Sequence, residues 1–302
     1  MRACRIACVR YLNTIPLIEG LERLEGVGLV PTVPSRIAEM VRAGEADVGL
    51  CSLVDLVGGD LAALPVGMIG CDGPTLTVRL FSSVPLERVR AVHADTDSHT
   101  SVILCRVLLK RQYGIEPVFA GFDARERVAV EGMGGERNGA ADPALGLKAQ
   151  TPDDAWPETV LLIGDKVVVD APPADRYPHQ LDMGEAWKRL SGLPFVYAVW
   201  ACRADRVDAP EVRAAAAVLD RQRRHNRTRL GWIVAKHAAE HRWPEALARE
   251  YLTTRLRYEV GAREREAVAR FLDEAREWLG DGQVEWADAG TTRPVPRVGA
   301  PA

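Results

Sequence analysis

The stretch Val9-Arg10-Tyr11-Leu12-Asn13-Thr14-Ile15-Pro16-Leu17 decides how the chain is read. Ahead of it, Arg5 to Val9 is apolar and β-compatible, as expected of a strand buried on both faces of a parallel sheet. Behind it, Pro16 opens a periodic segment, Leu17, Ile18, Leu21 and Leu24, closed by Gly26 and Gly28. Proline in the first turn and glycine past the last is the asymmetry of a short helix. In open α/β sheets ligands bind beyond the carboxyl ends of strands, where a helix N-terminus offers unpaired N–H groups to an anion. Asn13 falls at that point, and its amide can cap the helix or contact a ligand.

Working outward, the same device recurs. Ser35 reads as the N-cap of a helix carrying Ile37, Met40 and Val41 that ends near Gly44. A second strand, Asp47 to Cys51, hands over at Ser52 to a helical turn, so the Ser52 hydroxyl reads as a cap or a ligand contact. Leu76 to Ser82 alternates as a strand, with Val78, Leu80 and Ser82 on one face. After the strand Val89 to Ala94 comes the most polar turn, Asp95 to Ser101, which enters a helix from Val102 to Lys110. Its four hydroxyls, Thr96, Ser98, Thr100 and Ser101, exceed what one cap requires and form a plausible cradle for a carboxylate or phosphate. Neither a Walker A loop nor a dinucleotide fingerprint is present. His99 reads as an idle surface histidine rather than a base. Val160 to Ile163 is another apolar strand, followed by Gly164-Asp165-Lys166, where Asp165 reads first as a cap.

Between Glu131 and Pro157 the composition turns to Gly, Asn, Asp, Pro and Ala, which predicts a long loop or insertion. A short amphipathic helix follows at Asp182 to Leu190, then a strand at Phe195 to Cys202, and four helices within 210–279. The device of strand, small polar turn and helix occurs four times. That predicts two α/β lobes joined by two crossing strands, Leu76–Ser82 and Phe195–Cys202, with polar turns facing each other across a cleft. The expected boundaries are lobe I at 1–81 and 197–289, lobe II at 82–196, and a disordered tail at 290–302.

Composition is consistent with this. The chain has 302 residues, 47% of them hydrophobic, and 39 Lys+Arg against 42 Asp+Glu give a formal charge of -3. No global field points to nucleic acid or a membrane, and the cluster Arg221, Arg223, Arg224, Arg227 and Arg229 reads as a solvated helix face. With no bilayer-length apolar run and no leader ahead of the first strand, the expectation is a cytosolic protein. The six cysteines show no C-x-x-C spacing and read as buried hydrophobes, with no disulfide framework or metal site.

Tyr11-Leu12-Asn13-Thr14-x-Pro16-Leu17, Ala46-Asp47-Val48-Gly49-Leu50-x-Ser52, Leu80-Phe81-Ser82, Thr100-Ser101, Leu162-Ile163-Gly164-Asp165 and the run from Asp182 to Val196 resemble, in colinear succession from Ile6 to Leu272, the chorismate dehydratases of menaquinone biosynthesis. The resemblance implies a two-lobed fold like the type II periplasmic binding proteins. It implies dehydration of chorismate to 3-[(1-carboxyvinyl)oxy]benzoate, the first step of the futalosine route, without metal or organic cofactor. It carries catalytic roles onto Asn13 and Ser82, and substrate contacts onto Tyr11, Thr14, Ser52, Ser98, Thr100, Ser101, Gly164 and Asp165. The implied partner is a small-molecule carboxylate, and a homo-oligomer is compatible with it. Arg10 departs from the small hydroxyl residue usual before Tyr-Leu-Asn, and the 131–157 segment is longer than the family norm. Because the matched turns offer no His, Glu or Lys other than His99 and Lys166, the enolpyruvyl carboxylate of the substrate is the expected base, with Asn13 and nearby hydroxyls orienting it. The rival readings are a solute-binding protein of the same fold and 1,4-dihydroxy-6-naphthoate synthase.

Overall fold

The computed structural model describes residues 3–123 and 156–287. Most of the 131–157 segment and the 290–302 tail, for which a loop and disorder were expected, lie outside these residues.

Two sheets carry the chain. The first has seven strands in the order β11-β4-β10-β3-β1-β2, with β12 also on β4. They are β1 (Cys4–Cys8), β2 (Val27–Pro31), β3 (Val48–Ser52), β4 (Leu61–Cys71), β10 (Phe195–Arg203), β11 (Leu256–Arg257) and β12 (Glu285–Trp286). The second runs β7-β6-β8-β5-β9, from β5 (Val78–Ser82), β6 (Ala91–Asp95), β7 (Val118–Phe122), β8 (Thr159–Ile163) and β9 (His179–Asp182). β1 pairs in parallel with β2 and β3, and β6 with β7 and β8, whereas β10 is antiparallel to both its long neighbours. The strands that read as continuous apolar runs are the covered ones: every residue of β3 and of β8 is buried.

Neither expected crossing strand crosses. β5 lies wholly in the second sheet and β10 wholly in the first, so the chain passes between sheets through residues 72–77 and, on the return, through 183–194. The lobe boundary therefore falls before β5 rather than after Phe81. Alternation identifies a strand but carries no information on which sheet will accept it. The first helix is also shorter than its apolar spacing suggests. It is a 3₁₀ turn at Leu12–Thr14 followed by α1 (Ile15–Ile18), because Gly20 adopts φ +88° and breaks the path.

Helices α2 (Pro34–Arg42), α3 (His99–Leu108), α4 (Lys166–Val169) and α5 (Met183–Ser191) precede a helical region of α6 (Pro210–Arg227), α7 (Leu230–His237), α8 (Glu245–Glu250), α9 (Ala262–Glu274) and α10 (Arg276–Leu279). One apolar core runs from Ile37 and Val41 of α2 through Val102–Leu109 to Trp187 of α5, and a second lies between β1 and α6. All six cysteines are buried, and none forms a disulfide with another described residue. Burial pushes the thiols of Cys8, Cys105 and Cys202 up to about 12 and that of Cys71 to about 11, as small hydrophobic residues in a core require. No described helix is long and apolar enough to cross a membrane.

Candidate functional site

The polar turns converge on a cleft between the two sheets that encloses about 600 Å³ including its mouth. From the first lobe come Tyr11 and Asn13 after β1, Ser52 at the end of β3, Tyr197 of β10 and Tyr251 beyond α8. Asp97, Ser98 and Ser101 come from the start of α3, and Gly164 follows β8. The crossing segment contributes Thr75 and Thr77.

Each expected residue can now be placed. Asn13 caps nothing; its Oδ1 accepts from Thr14 Oγ1 at 3.0 Å and the side chain faces the cleft. Thr14 itself is fully buried and does not line it. Ser52 makes no capping bond to its turn and lines the cleft. Ser98 does both jobs, accepting the Ser101 amide at 3.2 Å as the N-cap of α3 while facing the cleft beside Ser101. Thr100 is turned away and accepts the Val54 amide at 3.4 Å. Gly164 has φ +66°, and a Cβ there would stand 3.0 Å from the Tyr11 ring, so both backbone and neighbour demand glycine.

Four placements differ from expectation, since Thr14 and Thr100, as well as Ser82 and Asp165, do not line the cleft. Ser82 is not in the cleft. It shares the face of Val78, which lines the cleft, but sits four residues along β5, about 13 Å away at strand rise. Its hydroxyl donates to Val84 O at 2.8 Å and shares a bond with Thr159 at 2.9 Å. Asp165 neither caps α4 nor lines the cleft; it receives the Leu12 amide at 3.2 Å, His241 Nδ1 at 2.8 Å and Trp243 Nε1 at 3.1 Å. His99 also lies off the cleft, with Nδ1 2.7 Å from Asp55.

Sequence reading missed the floor of the cleft. Thr75 Oγ1 pairs with the Tyr197 hydroxyl at 2.7 Å, and Thr77 Oγ1 pairs with that of Tyr251. Burial pushes both phenols up, so they remain protonated donors at neutral pH. Thr75 and Thr77 flank Leu76, whose φ of +73° is unusual for a side-chain-bearing residue and is held by an Asp182 Oδ2 bond to its amide at 2.7 Å.

The electrostatics are spare. Among the described residues lining the cleft, Asp97 is the sole charged side chain, and it is engaged: it accepts from the Tyr11 hydroxyl at 3.0 Å and from Lys166 Nζ at 3.0 Å. Lys166 pairs also with Asp95 at 2.6 Å. An anion in the cleft would therefore meet hydroxyls and the N–H groups of α3 rather than a basic side chain. No group of three or more described His, Cys, Asp or Glu residues is arranged to hold a metal.

The chain is similar to proteins of known activity or structure. Chorismate dehydratase of Thermus thermophilus is 28% identical over 254 residues, covering 79% of this chain and 83% of that protein. Among solved structures, the periplasmic aliphatic sulphonate binding protein SsuA of Escherichia coli superposes with a TM-score of 0.56 at 16% identity over 92% of each chain. A protein of Archaeoglobus fulgidus does so with 0.56 at 15% identity, over 91% of this chain and 95% of that one. These two likenesses establish the periplasmic-binding-protein-like fold. The sequence model of a family described as menaquinone biosynthesis matches residues 4–139 and 144–277, and the chain belongs to that family.

Proposed function

We propose that the protein is a chorismate dehydratase, converting chorismate to 3-[(1-carboxyvinyl)oxy]benzoate and water without a cofactor. The observation that carries the reading is a cleft whose polar lining is an amide, hydroxyls and a helix N-terminus, with its one described carboxylate already paired. The Thermus thermophilus relative bears the name of that activity.

The chemistry asks little of such a site. Breaking the ring C–H and the neighbouring C–OH bond makes the ring aromatic, and the proton and hydroxide leave together as water, so no oxidant or reductant is consumed. The ring carboxylate docks at the start of α3, where Ser98, Ser101 and the N–H groups of the first turn converge, with Ser52 opposite. The enolpyruvyl carboxylate of the substrate takes the ring proton, oriented by the Asn13 amide. Hydroxyls of the Thr75–Tyr197 and Thr77–Tyr251 pairs donate to the departing hydroxide. Asp97 is not assigned as the base, because its Oδ2 already accepts from Lys166 and Tyr11.

Incubation of the purified protein with chorismate alone, followed by mass spectrometry, should show loss of one water. Asn13→Ala should lower kcat by roughly 10²–10³, the cost of losing one preorganised donor, whereas Ser82→Ala should leave it unchanged. Binding without conversion would refute the reading in favour of a binding protein.

A further inference from the structure

We propose that Asp165 is a positioning residue: from the second lobe it sets the Asn13 turn of the first and fastens the lobes across the cleft. This rests on the role given to Asn13 above. Three donors converge on the one carboxylate, and all come from the first lobe. The Leu12 amide lies 3.3 Å from Oδ1 and 3.2 Å from Oδ2, Trp243 Nε1 3.1 Å from Oδ1, and His241 Nδ1 2.8 Å from Oδ2. The Asp165 and His241 side chains are only 16% and 12% exposed, so these bonds are largely shielded from water. An acceptor-only group is what this arrangement requires; an asparagine amide would turn N–H groups toward donors.

Two routes lead from Asp165 to Asn13. The first is the backbone. Leu12 opens the 3₁₀ turn Leu12–Thr14, closed by the Thr14 amide on Tyr11 O at 3.0 Å, so fixing the Leu12 amide fixes the residue beside it. The second runs through side chains. Trp243 stacks on Tyr251 with ring centroids 4.9 Å apart and planes 19° from parallel, and Tyr251, its hydroxyl paired with Thr77, lines the cleft together with Asn13. One carboxylate on the opposing lobe thus fixes the backbone beside Asn13 and, through Trp243, the ring that lines the cleft with it.

The backbone around the donors supports a dedicated arrangement. Arg242, between His241 and Trp243, adopts φ +58°, a left-handed conformation that a long side chain takes only where neighbours impose it. Its amide on Ala239 O at 3.0 Å and that of Trp243 on Ala238 O at 2.8 Å hold the turn, presenting both flanking rings to Asp165. On the acceptor side, the left-handed Gly164 turns the chain so that Asp165 leaves the cleft and faces the first lobe.

Asp165→Asn should lower kcat on chorismate by about 10–100-fold with KM little changed, because a small misplacement of a positioned group costs about that much. In an Asn13→Ala background the same substitution should cause no further loss. A loss of equal size in both backgrounds would show a general structural role, and a raised KM at unchanged kcat a direct substrate contact; either overturns the proposal. Trp243→Phe keeps the stacking on Tyr251, removes one bond, and should give a smaller loss of kcat in the same sense. The ¹⁵N indole resonance of Trp243, assigned with that variant, should move in Asp165→Asn without any substrate, and an unmoved signal would refute the clasp. Wild-type protein that leaves chorismate intact would sink the proposed reaction alone, and the indole signal then decides the clasp by itself.

Discussion

Replacing Lys166 by methionine removes the one ammonium that Asp95 and Asp97 share, at 2.6 and 3.0 Å, behind the wall of the cleft. The three side chains are 12%, 1% and 2% exposed, so water offers the stranded carboxylates little relief. Burial alone would depress the Lys166 ammonium; the two carboxylates more than offset it and leave its pKa raised. Burial likewise pushes the Asp95 carboxyl up, with the Lys166 charge opposing. Breaking a buried pair in this way costs about 3–5 kcal/mol, a large share of the roughly 5–15 kcal/mol that holds a domain folded. The sign with pH follows from linkage. Without the ammonium, Asp95 in the folded protein lies further above its unfolded value, so the folded state is penalised as pH rises through the folded value and relieved on acidification.

Urea unfolding of wild type and Lys166→Met near neutrality and about two units lower should therefore show the deficit shrinking in acid. Adding Asp95→Asn to Lys166→Met should return about 1–3 kcal/mol, the coupling expected of groups in contact. A neutral-pH deficit below about 1 kcal/mol, the level of a solvated surface pair, or one that deepens in acid, would refute the reasoning.

Two further outcomes follow from the packing and from the first-lobe polar cluster. Gly184→Ala places a Cβ against Thr75 Oγ1 and within 2.5 Å of Gly73 O; overpacking should cost about 1–3 kcal/mol in urea unfolding, and crystallography should find Thr75 displaced from Tyr197. Glu19 is buried, which alone would raise its pKa, but bonds from Lys236 at 2.6 Å and His237 at 2.7 Å more than offset this and lower it from 4.5. Its stabilisation is thus complete above that value and lost as pH falls through the lowered one, so the advantage of wild type over Glu19→Gln in thermal unfolding should vanish in acid; a constant advantage would refute the assignment.

Much of the architecture was legible because buried parallel strands need unbroken apolar runs, which is why Asp47–Cys51 and Val160–Ile163 stand out in the sequence and fall within one residue of β3 and β8. The polar turns after them were legible for the same reason, since hydroxyls and amides between such runs have few other uses. What a residue does at a strand's far end was not. Ser82 and Val78 share a face, and periodicity does not say which end of that face meets a ligand. Tyr251 left no local mark, because an aromatic in a helical run looks like core, and only the fold brings it to Thr77. Thr75 and Thr77 sit beside Pro74 and read as turn residues. Asp165 was legible as a polar residue at a strand end, but its direction depends on the handedness of Gly164.

The threonines of the cleft floor belong to the same six residues that carry the chain from one sheet to the other. Any rotation of one lobe against the other would be taken up there and at 183–194, and would turn Thr75 and Thr77 relative to Tyr197 and Tyr251. Such a rotation would couple ligand entry to the hydroxyl pairs that line the cleft. A compound wedged under Thr75 would then hold the lobes in one arrangement.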